Sequence, residues 1–502
     1  MTLALVEAVK NIKSVVENKI VMIKEIINSA LEISKKMGAT YCDIRIEDLK
    51  QEHILVRNKK VENLNYSESV GFGVRVIYKG SWGFASSSDL SLNEVKNVVE
   101  KAIKIAEASS YTNKFSLNLS ELEPVQKNYI SEYKKDPFKI PASEKLDLLI
   151  KSCELMQKNH KIEIVTSEMT FFKHKKIFVS SEGAYIEQEY IKTGGGIQAY
   201  AIDGDEMQTR SYPCNCGGDF RNSGYEFIEE MDFLNHAERV ADEALQLLEA
   251  EQCPSKETTL VIEGNQMAIQ IHESIGHPIE YDRVLGMEAS FAGTSFLTPD
   301  KLNKLQYGSE IINVYADATI PYGLGSFAFD DEGVEGQKVS IIDKGLFVGY
   351  LTSRETAPSL NTRSMGSVRA ENWNFLPIIR MTNINLESGD KTFEQLIEDV
   401  EDGIYMATNK SWSIDDKRWN FQFATEIAWE IKDGKLGKML KNPTYTDNTV
   451  HFWNSCDAIA NQEYWRIWGV PNCGKGQPMQ TGHVGHGSSP ARFRNIKVGV
   501  LE

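Results

Sequence analysis

The sequence has no long apolar runs, few cysteines and no signal-peptide pattern among its first residues. No stretch of its 502 residues approaches the ~18 consecutive apolar residues that a membrane-spanning helix needs. The N-terminal segment has no basic region followed by an apolar one, so no signal peptide is expected. Seven cysteines, sparse and odd in number, are typical of a reducing compartment rather than of a disulfide framework. These absences predict a soluble, cytoplasmic protein.

The charge balance argues against a large nucleic-acid surface. The formal net charge is −16, whereas phosphate binding needs a stripe of Lys and Arg. Hydrophobic residues make up 41% of the chain and charged residues 25%, both close to the globular average. The length allows two or three domains at roughly 150 residues each. We therefore expect sizeable cores, no nucleic-acid partner and no membrane partner.

Hydrophobic periodicity divides the chain into a short extension and two larger parts. It predicts an amphipathic helix over residues 1–19, an N-terminal α/β domain over residues 20–252 and a C-terminal domain over residues 253–502. The boundary is placed where a Pro and several charges, in residues 251–257, follow a predicted helix over residues 226–250. Both domains mix helical stripes with strand-like alternation, which indicates the α+β class.

Local patterns predict further elements in both halves. Alternation predicts strands over residues 41–48 and 53–64, and a hairpin over residues 70–86 with its turn at Lys79-Gly80. Helical stripes occupy residues 20–36, residues 92 to about 108, and a segment that begins near residue 143. The C-terminal domain is richer in strands and has one more predicted helix, over residues 391–402.

The segment HESIGH (272–277) carries the chemistry. Two His with an adjacent Glu are the ingredients of a metalloprotease helix. The imidazoles bind Zn²⁺, and the carboxylate takes a proton from metal-bound water. In a regular α-helix, residues five apart lie about 140° apart around the axis, so His272 and His277 would diverge.

A wider turn removes this difficulty. A π-type turn, with about 4.4 residues per turn, would bring His272 and His277 to within roughly 50° of each other. Gly276 relaxes the backbone, and Pro278 cannot donate to the carbonyl of Ser274. We therefore predict a π-bulge or a helix end between Glu273 and Pro278.

A metal site also needs a third ligand, and three candidates lie in residues 471–486. Cys473 precedes Gly-Lys-Gly, a flexible and positively charged setting that favours the thiolate that zinc requires. His483 and His486 are alternatives by residue type. Spacing alone does not choose among the three.

Several motifs, in the same order along the chain, resemble the TldD/PmbA family of peptidases. The resemblance covers about residues 20–500. The motifs are GFGVRV (71–76), GSWGFAS (80–86), HESIGHPIEYD (272–282), FDDEGV (329–334), RMTN (380–383), CGKGQP (473–478) and HGSSPARF (486–493).

The resemblance implies an N-terminal domain for substrate and dimer contacts and a C-terminal metal-binding domain. It also implies that unfolded peptides are cleaved inside a dimer cavity. By motif, the metal ligands map onto His272, His277 and Cys473, and the general base maps onto Glu273. The expected protein is a zinc metallopeptidase with one Zn²⁺ per chain, acting as a homodimer or as a heterodimer with a related family subunit. One departure from the family pattern is Pro278, where Gly is expected.

Two further roles are hypotheses. His483 or His486 would stabilise the oxyanion, and Glu280 would orient a metal ligand. The alternative function is a non-catalytic peptide-binding or modulator subunit with a structural metal. Four protein ligands, for example with His486 as the fourth, would favour that alternative, because structural zinc sites are closed. A metal-dependent hydrolase acting on something other than peptides is a third possibility.

Overall fold

The computed structural model describes residues 21–113, 117–215 and 217–499. The helix predicted over residues 1–19 lies outside these residues. The described chain forms one eight-stranded sheet in its N-terminal half and a second in its C-terminal half, with helices packed on both. The predicted α+β class is confirmed. Across the described ranges, no helix combines the length and apolar character needed to cross a membrane.

The N-terminal half alternates long strands with covering helices. Its helices are α1 (21–36), α2 (Leu92–Ser110), α3 (Ala142–Met156), α4 (Glu226–Met231) and α5 (Phe233–Glu249). Its strands are β1 (Tyr41–Arg57), β2 (Lys60–Tyr78), β3 (Ser81–Ser87), β4 (Gln126–Ile130), β5 (Ile162–Ser180), β6 (Tyr185–Asp203), β7 (Glu206–Tyr212) and β8 (Asp219–Arg221). The sheet order is β3-β2-β1-β5-β6-β4, and β7 and β8 also pair with β6.

One face of this sheet holds the apolar cores. Because side chains alternate along a strand, the even-numbered residues Ile44, Ile46, Ile54 and Val56 of β1 share a face. The first two are buried in a cluster with α1 and α2, and the last two in a cluster with α3 and α5. The helices therefore cover the two ends of the same face.

The opposite face of the sheet is charged and buried. Arg45 Nη1 of β1 lies 3.4 Å from Asp331 Oδ2, and Arg75 Nη1 of β2 lies 3.2 Å from Glu332 Oε1. Lys176 Nζ of β5 lies 2.6 Å from Asp331 Oδ1. The FDDEGV motif therefore joins the C-terminal half to the N-terminal sheet through ion pairs. Buried carboxylates need such partners.

The C-terminal half is built on short helices and many strands. Its helices are α6 (Gly264–Ile271), α7 (Tyr281–Val284), α8 (Ala289–Ala292), α9 (Phe393–Ile397) and α10 (Thr449–Asn454). Its strands are β9 (Glu251–Gln252), β10 (Lys256–Ile262), β11 (Val314–Asp317), β12 (Lys338–Asp343), β13 (Leu346–Phe347), β14 (Val368–Arg369), β15 (Ile378–Ile379), β16 (Ile384–Leu386), β17 (Asp402–Ile414), β18 (Asn420–Lys432), β19 (Lys435–Lys441), β20 (Thr444–Asn448), β21 (Cys456–Ile459), β22 (Arg466–Lys475), β23 (Gln480–Ser488) and β24 (Ala491–Val498). This half also has 3₁₀ turns at Pro299–Lys301 and Ala357–Leu360. A further 3₁₀ turn, at Pro137–Lys139, lies in the N-terminal half.

The second sheet closes on itself. Its order is β17-β10-β24-β20-β18-β19-β9, and β17 also pairs with β18, so β10, β24, β20, β18 and β17 form a ring. Helix α6 follows β10 directly and packs against β22 and β23, which form a separate hairpin. This arrangement brings the end of α6 and the hairpin together, so that His272 and His486, 214 positions apart in the chain, are in contact.

Three predicted elements are corrected by the structure. The helix predicted over residues 226–250 is two helices, because Asp232 adopts a left-handed backbone with φ 48°. The predicted helix over residues 391–402 is reduced to α9, since Asp402 already begins β17. The strand predicted over residues 53–64 contains a hairpin turn at Asn58-Lys59, where both residues have positive φ. The predicted turn at Lys79-Gly80 is confirmed.

Candidate metal centre

The HESIGH segment forms a π turn at the end of α6. Residues His272–Gly276 are π-helical, and the His277 amide donates to the His272 carbonyl five residues earlier at 3.1 Å. The two imidazole rings meet edge to face with their centroids 4.8 Å apart. The π turn predicted from the spacing is confirmed, and it places both His side chains on one side of the helix.

Neighbouring side chains support this turn. Pro278 has no amide hydrogen, and the Ser274 carbonyl instead accepts a hydrogen bond from the buried Tyr307 hydroxyl. A Cβ at residue 276 would lie 2.3 Å from Met381 Sδ. Any larger residue at position 276 would therefore force the buried Met381 side chain to move.

The β22–β23 hairpin supplies the third member of the cluster. Donor atoms of His272, His277 and Cys473 all lie within 4.8 Å of one another, and all three residues are buried. Cys473 Sγ is 3.8 Å from His277 Nε2. His483, on the same hairpin, lines a different cavity. Among the three candidates from the sequence, the described structure brings Cys473 to the two His.

His486 lies behind His272 and determines which of its nitrogens is free. His486 Nδ1 is 3.3 Å from the Ile384 carbonyl, which can only accept, so Nδ1 carries the hydrogen. Burial lowers the pKa of His486 well below its usual value. In neutral His486, Nε2 accepts from His272 Nδ1 at 2.8 Å. His272 Nε2 is therefore the atom directed to the cluster.

Glu280 determines which nitrogen of His277 is free. Its Oε2 lies 2.9 Å from His277 Nδ1 and accepts that hydrogen, which leaves the Nε2 lone pair of His277 for a cation. Burial lowers the pKa of His277 well below its usual value, so the ring is neutral. Glu280 thus contacts one of the two His residues predicted as metal ligands, and its orienting role stays a prediction. His486 is fully buried behind His272. This position does not fit the hypothesis that His486 stabilises the oxyanion.

The surroundings of Cys473 favour its thiolate. Burial raises the pKa of Cys473, but His272, Arg380 and His277 together lower it well below its usual value. Burial lowers the pKa of His272, yet the thiolate outweighs this and raises it. The Cys473 carbonyl also accepts from Arg380, a residue of the RMTN motif. A divalent cation would replace the proton that His272 shares with the thiolate.

The donor set fits zinc. Two imidazole nitrogens and one thiolate sulfur are ligands that zinc prefers, and three protein ligands are typical of catalytic sites. Each imidazole donates its other N–H to a fixed acceptor, as metal-binding His residues usually do. Lys475 locks the hairpin to the segment after the π turn, because its buried Nζ contacts Asp282 Oδ1 at 2.7 Å.

Glu273 points into an open cavity next to the cluster. Its Oε2 lies 2.6 Å from Arg418 Nη1, at the tip of the β17–β18 hairpin. The cavity has a volume of about 440 Å³ and its wall includes Glu273, Arg418, Trp412 and Trp468 as well as the cluster. A cavity of this size admits a peptide segment. Glu273 therefore lines this cavity, whereas His486 does not.

The positions of two residues in this centre relative to the cluster were not predicted from the sequence. Arg418 lies in a polar loop, DDKR, which resembles any exposed turn. His486 was considered only as a ligand or an oxyanion donor. Its contact with His272 depends on two elements 214 positions apart. The RMTN motif was a signal for Arg380, although nothing in it indicated a contact with Cys473.

Comparisons with known proteins cover most of the chain. Residues 42–106 match the family model of PmbA/TldA metallopeptidase domain 1, residues 135–248 match the central domain, and residues 255–500 match the C-terminal domain. A metalloprotease of Methanocaldococcus jannaschii is 32% identical over 446 residues, 89% of this chain and 94% of that protein. A zinc metalloprotease TldD homolog of Saccharolobus solfataricus is 22% identical and covers 93% of this chain and 98% of its own.

Solved structures share the fold. A Thermotoga maritima protein, described as a candidate modulator of a DNA gyrase, has a TM-score of 0.73 at 18% identity and covers 95% of this chain and 100% of its own. TldE from Thermococcus kodakarensis has a TM-score of 0.67 at 16% identity, with the same coverage. At these identities the likeness establishes the fold alone.

Proposed function

The chain belongs to the PmbA/TldD metallopeptidase family, and we propose that it is a zinc-dependent peptidase acting on unfolded peptides or small proteins. In this proposal His272, His277 and Cys473 hold one zinc ion per chain, and Glu273 is the general base. The observation that carries the proposal is the convergence of three suitable donors within 4.8 Å, next to a carboxylate that lines the same cavity.

The residues around the cluster have distinct tasks. Zinc, when bound, would supply a Lewis acid that polarises the scissile carbonyl and lowers the pKa of water to about 7. Glu273 accepts the proton from the attacking water and delivers it to the leaving amine. Arg418, 2.6 Å from Glu273 Oε2, holds the carboxylate in position. His486 and Glu280 hold the two imidazoles.

The alternative is a binding or modulator subunit with a structural metal. Structural zinc sites have four protein ligands, whereas the described residues offer a group of three. His486 Nε2 is already engaged by His272 Nδ1, so it is not a fourth ligand in this arrangement. This difference supports the enzyme over the binding subunit. An assembly of two chains, either two copies or one copy with a related subunit, is part of the proposal.

Peptide cleavage tests the proposed function. Zinc-loaded wild type is incubated with a mixed pool of unfolded peptides, and the products are read by mass spectrometry. We expect cleavage by the wild type and by Glu310→Gln, which changes an exposed carboxylate, and none by Glu273→Gln. Zinc content and thermal unfolding are measured for all three proteins, so that loss of the base is separated from loss of the fold.

Two outcomes would contradict the proposal. If Glu273→Gln cleaves as fast as the wild type, the carboxylate is not the base. If folded, zinc-loaded wild type cleaves nothing, alone or with a related family subunit, the binding subunit becomes the better account.

A further inference from the structure

A second cavity, of about 340 Å³, lies between the charged face of the N-terminal sheet and the β22–β23 hairpin. Lys192 of β6, Arg369 of β14 and Arg380 line it together with His483 of β23. Pro471 lines both this cavity and the one at the metal centre. We refer to it as the cationic cavity.

In the part of the chain that the structure describes, the Lys192 ammonium has no carboxylate partner. Its Nζ lies 3.1 Å from His483 Nδ1, a neutral partner because burial lowers the pKa of His483 well below its usual value. Burial, with smaller effects from Arg369 and Lys176, lowers the pKa of Lys192 to about 7. Within the described ranges, none of the ion pairs includes Lys192, and a cation in this setting is poorly compensated.

The hydrogen-bond acceptors of the two arginines are neutral backbone carbonyls. Arg369 Nη1 donates to the His483 carbonyl at 2.7 Å, and its Nη2 donates to the Met381 carbonyl. Arg380 donates to the carbonyls of Gln480 and Cys473. In the part of the chain that the structure describes, the Nε atoms of both arginines are buried without a hydrogen-bond partner. Arg380 itself is only 1% exposed.

The acidic residues of this cavity are already engaged. Asp331 accepts from Lys176 Nζ at 2.6 Å and from the Ala370 amide at 2.8 Å. Glu371 accepts from the Thr481 amide. Arg369 and Arg380, joined by Lys192 when it is protonated, therefore give the cavity an excess of positive charge. Buried, unpaired donors of this kind favour an anion that accepts from planar N–H groups.

We propose that the cationic cavity binds a carboxylate of the substrate peptide, held by Arg369, Arg380 and Lys192. This inference rests on the proposed peptidase function. Arg380 also contacts the Cys473 carbonyl, and Pro471 lines both cavities, so the two cavities share one strand of the hairpin as a wall. In this proposal one peptide extends from the metal centre into the cationic cavity.

The carboxylate has two sources on a peptide: its C-terminus or an Asp or Glu side chain. Equilibrium binding to zinc-loaded Glu273→Gln, which is expected not to turn over, separates them. Three short fluorescent peptides of one neutral sequence are compared by polarisation. The first has a free C-terminus, the second a C-terminal amide, and the third a C-terminal amide with one internal Glu.

We expect at least one charged peptide to bind about tenfold or more tightly than the neutral amide. Whichever charged peptide gains affinity identifies the source. Adding Arg369→Gln or Lys192→Met should remove most of this difference, and Arg369→Lys should retain part of it. Arg363→Gln and Lys127→Met, at exposed positions, should leave it unchanged.

Equal binding of all three peptides, or no binding of any, would overturn the site. So would a difference in affinity that survives Arg369→Gln and Lys192→Met in folded protein, as checked by thermal unfolding. The outcome is independent of cleavage. If Glu273→Gln binds a charged peptide more tightly than the neutral one but the wild type cleaves no peptide, the carboxylate site is supported and the proposed peptidase activity is contradicted.

Discussion

The Nε2 atom of His486 lies 2.8 Å from Nδ1 of His272, although the residues are 214 positions apart in the chain. The Ile384 carbonyl fixes the hydrogen of His486 on its other nitrogen. His272 therefore presents Nε2, with its lone pair available once a cation displaces the proton, next to Cys473 and His277. The arrangement of the candidate metal centre thus depends on a residue outside the proposed ligand set.

Replacing His486 tests this relationship. We expect His486→Ala to weaken zinc binding about 10–100-fold, because His272 loses the acceptor that fixes its orientation. Zinc affinity is measured by competition with a chromogenic chelator. His451→Ala, which removes an exposed His from α10, is the matched control and should not change the affinity. An unchanged affinity in His486→Ala would contradict this role.

Glu280→Gln is the corresponding change on the other side of the centre. The amide keeps the shape of the side chain but removes the charge that accepts from His277 Nδ1 at 2.9 Å. We expect about a tenfold loss of zinc affinity. If the loss comes from general destabilisation, Glu280→Gln will unfold at a markedly lower temperature than the wild type even in excess zinc.

Arg418 is expected to affect turnover without affecting metal binding. Its Nη1 holds Glu273 Oε2 at 2.6 Å, so Arg418→Met should release the base. A reduction of about 10–100-fold in kcat/KM is expected for a mispositioned base, with full zinc content. Arg418→Lys keeps the positive charge, and its kcat/KM should fall by less than that of Arg418→Met. Equal kcat/KM for wild type and Arg418→Met would show that Arg418 does not position Glu273.

Tyr307 is expected to contribute to stability through the π turn. Its hydroxyl satisfies the Ser274 carbonyl that Pro278 cannot reach. Tyr307→Phe leaves this buried carbonyl without that donor, and we expect a loss of about 1–3 kcal/mol in the free energy of unfolding. Urea unfolding at saturating zinc measures it. Tyr111→Phe, at a side chain that is 79% exposed, should cost nothing measurable.

The buried Asp219 predicts a pH dependence of stability. Burial raises its pKa to about 6, above the value of about 3.9 in an unfolded chain. Between these values the folded state binds the proton and the unfolded state does not, so this group lowers stability as pH rises from about 4 to 6. Asp219→Asn removes this effect.

Unfolding of Asp219→Asn and wild type is therefore compared across this pH range. The stability difference should shift in favour of the variant by up to about 3 kcal/mol between pH 4 and pH 7. A difference that is constant with pH would show that Asp219 ionises in the folded protein as it does in the unfolded chain.

Local patterns predicted local structure well. The five-residue spacing of His272 and His277, with Pro278 after them, predicted the π turn. Lys79-Gly80 predicted a hairpin turn, and both residues have positive φ there. The break at Asp232 was not predicted, since Asp also occurs within helices and nothing in the local pattern indicates its left-handed backbone, with φ 48°.

Contacts between distant elements were not predictable in the same way. Spacing left Cys473, His483 and His486 as equal candidates, and only the pairing of the β22–β23 hairpin distinguishes them. Trp468 and His486 face each other in this hairpin, as do Cys473 and Gly482. The family resemblance supplied Cys473 from the motif. It supplied neither the contact of His486 with His272 nor that of Arg418 with Glu273.

The most direct test of the account is a zinc titration of metal-free protein. Peptide hydrolysis and bound zinc are measured in the same samples, for wild type and for Cys473→Ala. The account predicts that wild-type activity rises in proportion to bound zinc and stops rising at one zinc per chain, while Cys473→Ala binds zinc weakly and stays inactive. Hydrolysis by the metal-free wild type, or tight zinc binding with full activity in Cys473→Ala, would contradict it.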